Sequence, residues 1–410
     1  MRKLDVANIR TASPEAVKQI NQTVVLNVVR QLQPISRSAV ADVSGLHKST
    51  ITDIVKDLLA DGLLQECGFQ DSEGGRRAVL LRLNAGNIRG VVVDVGVHES
   101  AIHLGDVTGQ TQNQATFPTP RDPEQFLARC TAELDRVFAR FPAALFRGIA
   151  VSVPGLVDRE SGRLRQAPNL GWNDLDLGGP LRERYGLPVH VENEAKLSAI
   201  AEMWFGESDT ESEANYAFVS VTEGIGVGLV IENQLYRGVN GASGEFGHTT
   251  VLVDGPRCGC GKSGCWEALA SETAAVSQYV GTAVSPYAGG LDGFSDAAFK
   301  EGEPAFSGLL RRVEEGDGKA RAALERMGRY LGLGIANLVN GLNLKLVIVG
   351  GRVTQAWDLV EPVLAAELRR HALPFSAEGL RVKCSALPEP NVVGALVTAV
   401  SSVFSGMTLY

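Results

Sequence analysis

One short segment holds half of the chain's cysteines together with a histidine. His248, Cys258, Cys260 and Cys265 form the pattern H-x9-C-x-C-x4-C, in a sequence of 410 residues that has six cysteines. Three thiolates and one imidazole are a ligand set for a tetrahedral structural zinc ion. The intervening glycines let the loop bend so that the sulfur atoms converge. A group of small buried cysteines is the alternative, but glycine-spaced positions make a poor core, so we predict a structural Zn²⁺ site.

Two carboxylates flank these four residues, and they predict the ligand of the surrounding site. Glu245 precedes His248 by three residues, and Glu267 follows Cys265 by two. A zinc ion with four protein ligands has no open position for chemistry, so its role would be to hold these carboxylates in place. Oriented carboxylates accept paired hydrogen bonds from neighbouring hydroxyls, which indicates a sugar. The alternatives are a surface charge at either position, or a first-turn helix carboxylate at Glu267.

Charge is distributed unevenly along the chain. Residues 1–84 contain 11 Lys/Arg and 9 Asp/Glu, whereas the whole chain contains 39 and 47 and has a net charge of −8. The N-terminal segment is therefore slightly basic and the remainder acidic. Because an acidic body repels nucleic acid, any contact with DNA must come from the first 84 residues.

The N-terminal segment has the pattern of a helix-turn-helix. Ser36 is positioned to cap a helix that ends near Gly45, and apolar residues then recur at helical spacing from Ile51 to Leu59. Short or cationic side chains at the start of the second helix suit phosphates and base edges in a major groove. A solvated helix face is the alternative. The predicted DNA contacts in this part are Ser36, Arg37, His47, Lys48, Ser49, Thr50 and Thr52.

A predicted hairpin follows the two helices. Residues 63–84 have the pattern of a strand, a turn at Gly74-Gly75 and a second strand. Arg76 and Arg77 lie at or just past this turn, where a wing would reach the DNA backbone or minor groove. A charged hairpin rim is the alternative. Together these elements predict a winged helix-turn-helix that binds DNA.

The body of the chain contains two similar segments. Residues 90–110 and 216–238 each show an apolar run, a polar turn containing glycine and a second apolar run. Strand and helix patterns alternate after each of them, which predicts two α/β lobes related by duplication. Ligands of such folds collect between lobes and beyond strand ends. The glycine-rich residues 221–230 fit either a phosphate loop or a tight hairpin turn.

The motifs GEFGH at 244–248 and CGCGKSGCWE at 258–267 resemble the signature of the ROK family of repressors and sugar kinases. The winged helix in front resembles the repressor branch of that family. The resemblance implies an α/β fold of the actin-like ATPase (ribonuclease H-like) type, with two lobes, a sugar between them, and dimers or tetramers. The implied domains are residues 1–84, a first lobe at 88–200 completed by a C-terminal helix at 391–405, and a second lobe at 201–390 with the zinc motif and the oligomerisation surface.

The resemblance also implies a sugar site, whose residues match the family's motifs one by one. His248 would have two roles, with one ring nitrogen on zinc and the other directed to a sugar hydroxyl. The implied sugar-binding residues are Gly155, Asn169, Asn193, Glu194, Glu245, His248 and Glu267.

Two departures from the family pattern separate a regulator from an enzyme. Family kinases have an aspartate general base where this chain has Glu194, and a misplacement of ~1 Å can lower a rate ~100-fold. They also have Gly-Gly-Thr, near the ATP phosphates, where this chain has Gly96, Val97 and His98. We therefore predict no catalytic residues and a receptor that binds sugar without phosphorylating it.

The resulting hypothesis is a sugar-responsive transcriptional repressor that binds a palindromic double-stranded DNA operator as a homodimer or homotetramer. An ATP-dependent sugar kinase with an attached DNA-binding head is the main alternative, and a regulator with a protein effector is another. The sequence has no apolar run long enough for a membrane span and no signal-peptide pattern at its N-terminus. We therefore expect a cytoplasmic protein without a membrane partner.

Overall fold

The N-terminal unit consists of three helices and a three-stranded sheet. The structure is a computed structural model that describes residues 14–70, 77–207, 210, 213–281, 299 and 304–404. Strand β3 lies between the other two strands and pairs antiparallel with both. The elements are α1 (Pro14–Leu32), β1 (Ile35–Ser36), α2 (Arg37–Ser44), α3 (Lys48–Ala60), β2 (Leu64–Phe69) and β3 (Val79–Leu83).

The predicted helix, turn and helix are confirmed by local geometry. The Ser36 hydroxyl accepts a hydrogen bond from the Ala39 N–H and caps α2, and Gly45 ends that helix at a φ of 69°. A positive φ favours glycine, which explains the sharp turn into α3. Helix α3 buries its apolar face, including Ile51 and Val55. The predicted hairpin also forms, although Gly74, Gly75 and Arg76 lie outside the described residues.

The first lobe is built on a five-stranded sheet with the order β11-β7-β4-β5-β6. Strands β4, β5 and β6 form an antiparallel meander, β7 pairs with β4 in parallel, and β11 pairs with β7 in parallel. Its large sheet comprises β4 (Arg89–Val95), β5 (Glu99–Asp106), β6 (Thr111–Pro118), β7 (Phe146–Val153) and β11 (Val189–Asn193). Its small sheet and helices are β8 (Leu156–Asp158), β9 (Arg163–Ala167), β10 (Trp172–Asp176), α4 (Pro123–Phe138), α5 (Gly178–Tyr185) and α6 (Glu194–Phe205).

The second lobe repeats this arrangement with the sheet order β14-β13-β12-β15-β16. Again three antiparallel strands come first, a parallel strand pairs with the first of them, and a second parallel strand pairs with that one. Its strands are β12 (Tyr216–Val221), β13 (Ile225–Ile231), β14 (Gln234–Tyr236), β15 (Leu346–Gly350) and β16 (Arg381–Cys384). Its helices are α7 (Glu267–Ala270), α8 (Glu272–Val280), α9 (Ala305–Glu314), α10 (Gly318–Leu342), α11 (Trp357–His371) and α12 (Pro374–Ala377).

The shared sheet order explains why the sequence shows two similar segments. The hairpins predicted at 90–110 and 216–238 each open one sheet, as expected. The last helix, α13 (Pro390–Val400), packs on α6 and on the sheet of the first lobe. A Cβ atom at Gly394 would lie 1.8 Å from the Leu197 carbonyl oxygen, so only glycine permits this close crossing.

The N-terminal unit packs against the first lobe through a common apolar cluster. Residues of α1, α3 and β3 share this cluster with Leu197 and Ile200 of α6 and with α13. At its edge, the Arg30 guanidinium lies 4.1 Å from the ring centre of Trp204. Within the described residues, no helix combines the length and the apolar character that a bilayer crossing requires.

Candidate functional site

The four residues predicted to bind metal come together in space. The Nδ1 or Nε2 atom of His248 and the Sγ atoms of Cys258, Cys260 and Cys265 all lie within 4.8 Å of one another. Cys265 is fully buried and Cys258 is 6% exposed. Thiolates and an imidazole at such distances are a donor set that fits a four-coordinate metal ion.

The loop folds locally to bring these residues together. Short antiparallel bridges join Thr250 to Cys265 and Arg257 to Ser263, so the segment doubles back on itself. Gly264 has a φ of 71°, and a Cβ atom there would lie 1.7 Å from the Leu252 carbonyl oxygen. The glycine beside Cys265 is therefore required by the turn that presents the cysteine.

His248 stands between this cluster and the space outside it. Its Nδ1 atom lies 3.6 Å from Cys258 Sγ, whereas its Nε2 atom lies 3.9 Å from a carboxylate oxygen of Glu245. The two ring nitrogens thus point to different surroundings. This geometry suits an imidazole that binds a metal through Nδ1 and presents Nε2 to a ligand.

A single cleft between the two lobes contains all seven residues that the family resemblance implied for sugar. The first lobe contributes Gly155, Asn169, Asn193 and Glu194, and the second contributes Glu245, His248 and Glu267. The full lining is Gly96, Val97, Pro154, Gly155, Pro168, Asn169, Asn193, Glu194, Thr222, Glu223, Gly224, Ile225, Gly226, Val227, Ser243, Gly244, Glu245, His248 and Glu267.

Two asparagines of the first lobe, Asn193 and Asn169, differ in their hydrogen bonding. Asn193 caps α6 by accepting hydrogen bonds from the Ala195 and Lys196 N–H groups, and its amide donates to the Gly155 carbonyl at 3.0 Å. The Oδ1 atom of Asn169 is buried and has no hydrogen-bond partner among the described residues. An unsatisfied buried acceptor that lines a cleft indicates a position for a ligand donor.

Glu267 connects the cluster of His248 and three cysteines to the glycine-rich turn of the second lobe. One carboxylate oxygen accepts a hydrogen bond from the Ile225 N–H at 3.1 Å, and the other lies 3.5 Å from Cys258 Sγ. Strands β12 and β13 pair through the residues on both sides of this turn. Of the two predicted alternatives, the turn is therefore a tight hairpin, with the Ile225 donor already used.

Glu194 is the first residue of α6 and lies beside Thr222, whose hydroxyl is 3.4 Å from its carboxylate. Burial, followed by repulsion from Glu223 and Asp94, raises the pKa of Glu194 to about 8. Burial likewise raises the pKa of Asp94 to about 6. Glu194 is therefore largely protonated at neutral pH, and only a minor fraction of it could accept a proton.

Several cleft residues were not predicted from the sequence. Thr222, Glu223 and Ser243 line the cleft, and the first two lie in the turn considered for phosphate. A strap formed by residues 237–243 crosses to the first lobe, where the Arg237 Nε donates to Glu192 at 3.2 Å and Lys196 donates to the Gly241 carbonyl. For Ser243, its position next to the GEFGH motif was the one signal in the sequence that could have indicated a place in the cleft.

The predicted DNA contacts lie on the N-terminal unit with different exposures. His47, Lys48, Ser49, Thr52 and Arg77 are exposed, Thr50 is half-buried, and Arg76 lies outside the described residues. The Arg37 guanidinium donates to Glu66 at 2.9 Å. Ser36 is 4% exposed and its hydroxyl caps α2, so burial leaves it little access to DNA.

Comparison with known proteins identifies similar sequences and folds. The model of the ROK family matches residues 90–399. A xylose repressor from Caldicellulosiruptor bescii is 31% identical over 396 residues, which are 95% of this chain and 97% of that protein.

Two solved structures match different shares of the chain. A ROK family transcriptional regulator, a homologue of the Escherichia coli MLC protein, matches with a TM-score of 0.78 and 28% identity over 95% of this chain and 98% of its own. A ROK family glucokinase from Streptomyces griseus, in complex with glucose and AMPPNP, matches with a TM-score of 0.64 and 26% identity over 76% of this chain and 99% of its own. The regulator therefore covers most of the N-terminal unit, whereas the glucokinase leaves about a quarter of the chain unmatched.

Proposed function

This chain belongs to the ROK family, and from that premise we propose that it is a sugar-responsive transcriptional repressor. In this proposal a monosaccharide binds in the interlobe cleft and is not phosphorylated. The observation that carries the proposal is the convergence of Gly155, Asn169, Asn193, Glu194, Glu245, His248 and Glu267 in one cleft, in a chain with an N-terminal helix-turn-helix. Carboxylates and amides are the groups that recognise sugar hydroxyls.

Zinc is the metal that we assign to His248, Cys258, Cys260 and Cys265. Three thiolates with one imidazole favour zinc over hard cations such as magnesium, which prefer oxygen ligands. When bound, the ion would supply rigidity rather than chemistry, because four protein ligands leave no position for water. It would fix the two ends of the site, His248 and Glu267, relative to each other.

The chemistry of the cleft argues against phosphoryl transfer. The side chain of Glu194 is one methylene longer than the aspartate general base of family kinases, so its carboxylate is displaced relative to a sugar hydroxyl. Val97 lines the cleft where family kinases have a small glycine next to threonine, and Glu223 adds a carboxylate to the same wall. A carboxylate there would repel the phosphates of ATP. The similarity to a repressor over 95% of the chain supports a regulator as well.

DNA binding is assigned to residues 1–84, and the sugar response to lobes at 88–200 and 201–390, with the helix at 391–405 added to the first lobe. Helix α3 would enter the major groove, with His47, Lys48, Ser49, Thr50 and Thr52 near its start. Arg76 and Arg77 would extend from the hairpin to the backbone or minor groove. A homodimer or homotetramer would place two such heads on a palindromic operator.

A gel-shift titration with DNA from upstream of the protein's own gene or its neighbours tests the proposal. We expect a specific complex whose affinity changes by ~5–150-fold when the correct sugar is added, as for a coupling of ~1–3 kcal/mol. A coupled ATPase assay with the same sugars should remain at background. If no sugar changes DNA affinity, or if ATP is consumed, the repressor proposal is wrong in its present form.

A further inference from the structure

The lining of the interlobe cleft contains four carboxyl groups, of which Glu194 is largely protonated at neutral pH and the ionised ones carry negative charge. Glu194, Glu223, Glu245 and Glu267 contribute carboxyl groups, and the described lining contains no lysine or arginine. A cleft with low-dielectric walls concentrates the field of such groups. It therefore favours ligands that donate hydrogen bonds and disfavours ligands that carry negative charge.

Three cations near the cleft lining are engaged by the protein itself. The Arg352 guanidinium donates to Glu272 at 2.5 Å and to Glu223 at 3.5 Å. The other two, Lys196 and Arg237, hold the strap at 237–243, and Lys196 is 2% exposed. A phosphate group would have to break one of these pairs before it gained a cationic partner.

Several backbone donors at helix starts and in the glycine-rich turn are also occupied. The first N–H groups of α6 donate to the side chain of Asn193, and the Ile225 N–H donates to Glu267. At the start of α8, the Glu272 N–H donates to the Thr222 carbonyl. Helix N-termini and glycine-rich turns bind phosphate only when such groups are available.

The negative charge around the cleft also acts on Glu194, which lines it. Repulsion from Glu223 and Asp94 adds to burial in raising the pKa of Glu194. The cleft thus already resists a negative charge on one of its own side chains. Zinc would not reverse this, because the two positive charges of the ion are opposed by three thiolates.

We propose that the effector is an uncharged sugar, and that sugar phosphates and sugar acids are excluded from the cleft. This inference rests on the proposed function and narrows its ligand class. Hydroxyls supply the donors that the carboxylates and the unsatisfied Asn169 Oδ1 require. The protein would therefore sense the free sugar, before any kinase has added a phosphate to it.

Isothermal titration calorimetry on the full-length, zinc-replete protein tests this inference. Its probes are D-xylose, D-glucose and N-acetyl-D-glucosamine, together with the 6-phosphates of the two hexoses. We expect at least one neutral sugar to bind, and each phosphate ester to bind at least ~100-fold more weakly than that sugar. A sugar phosphate that binds as tightly as its parent would overturn the inference and leave sugar sensing intact. If no probe of either class binds, sugar sensing and the inference both fail.

Variants that remove one carboxylate test the electrostatic cause through the ratio between the affinities for phosphate esters and for neutral sugars. A folding defect would not change this ratio. Glu223→Gln should tighten binding of the phosphate esters by ~10-fold relative to the neutral sugars, because one repulsive charge is removed. Glu183→Gln makes the same change on an exposed face of α5 outside the cleft lining, and should leave the ratio unchanged. An equal ratio in both variants and the wild type would contradict the electrostatic cause.

Discussion

Two residues, His248 and Glu267, each contact the proposed metal ligand Cys258 and also line the cleft. His248 has one ring nitrogen near Cys258 and the other near Glu245, and Glu267 spans from Cys258 to the Ile225 N–H. Because both residues contact the cluster and line the cleft, the cluster determines where two of the proposed sugar-binding groups lie. Loss of the metal should therefore affect sugar binding without any direct contact between them.

Cys260→Ser tests this link. A serine hydroxyl is a poor zinc ligand at neutral pH, so we expect the variant to lose most of its zinc and to bind sugar at least ~10-fold more weakly. Elemental analysis of purified protein and calorimetry with the sugar provide the two readouts. Cys384→Ser, on β16 and outside the cluster, is the matched control and should retain both properties. Full zinc content in Cys260→Ser would contradict the ligand assignment.

Glu194 gives a prediction about pH. Its pKa is raised to about 8, above the ordinary value of 4.5, so its protonated form stabilises the fold at low pH. That stability is complete below the ordinary pKa and is lost as the pH rises through about 8. A glutamine cannot ionise, so it lacks this pH dependence. The free energy of unfolding of Glu194→Gln, relative to that of wild type, should therefore increase by roughly 2 kcal/mol between pH 6 and pH 8. Thermal midpoints of the two proteins at both pH values would measure this, with Glu183→Gln as the control. A constant difference would contradict the assignment.

Elements with a strong local pattern were predictable from the sequence. Helices α2 and α3 have apolar residues at helical spacing, a capping serine and a glycine turn, and each of these signals acts within a few residues. The convergence of His248, Cys258, Cys260 and Cys265 was predictable for the same reason, because all four lie in one loop. Ser36 shows the limit of this approach: its type suited both a cap and a DNA contact, and only the fold showed that it is buried.

Elements that meet from distant parts of the chain were not predictable by pattern. The strap at 237–243 is held by Glu192 and Lys196, which lie about 45 positions earlier. Arg352 pairs with Glu272 across 80 positions. Buried ion pairs of this kind depend on the relative placement of whole strands and helices. No periodicity or short motif in the sequence encodes that placement.

The helix-turn-helix and its hairpin give a prediction about salt. Lys48 and Arg77 are exposed and cationic, which suits contacts with phosphates. Replacing either by alanine should weaken operator binding and reduce the slope of log K against log salt by ~0.9 for each lost contact. Arg370→Ala, an exposed position on α11 of the second lobe, should leave the slope unchanged. A slope equal to that of the wild type in either variant would exclude that residue as a phosphate contact.

At the scale of the whole molecule, α6 connects the cleft to the N-terminal unit. Asn193 and Glu194 stand at its first turn and line the cleft, and Trp204 stands at its last turn. There the Trp204 ring contacts the Arg30 guanidinium of α1, and the ring centre of Phe404 is 5.4 Å away. A rigid helix with one end at each site is an element through which ligand binding could change the placement of the DNA-binding unit.

Trp204→Ala tests whether this path carries the sugar response. Removing the indole eliminates the cation–π contact with Arg30 and the packing against Phe404, but leaves the cleft residues in place. We therefore expect the variant to bind sugar within about twofold of wild type, whereas the sugar-dependent change in operator affinity falls from ~5–150-fold toward none. Calorimetry measures the first quantity and gel shifts with and without sugar measure the second. Trp204→Phe retains an aromatic ring against the guanidinium and should preserve most of the response. A full response in Trp204→Ala would show that the signal reaches the DNA-binding unit by contacts other than the end of α6.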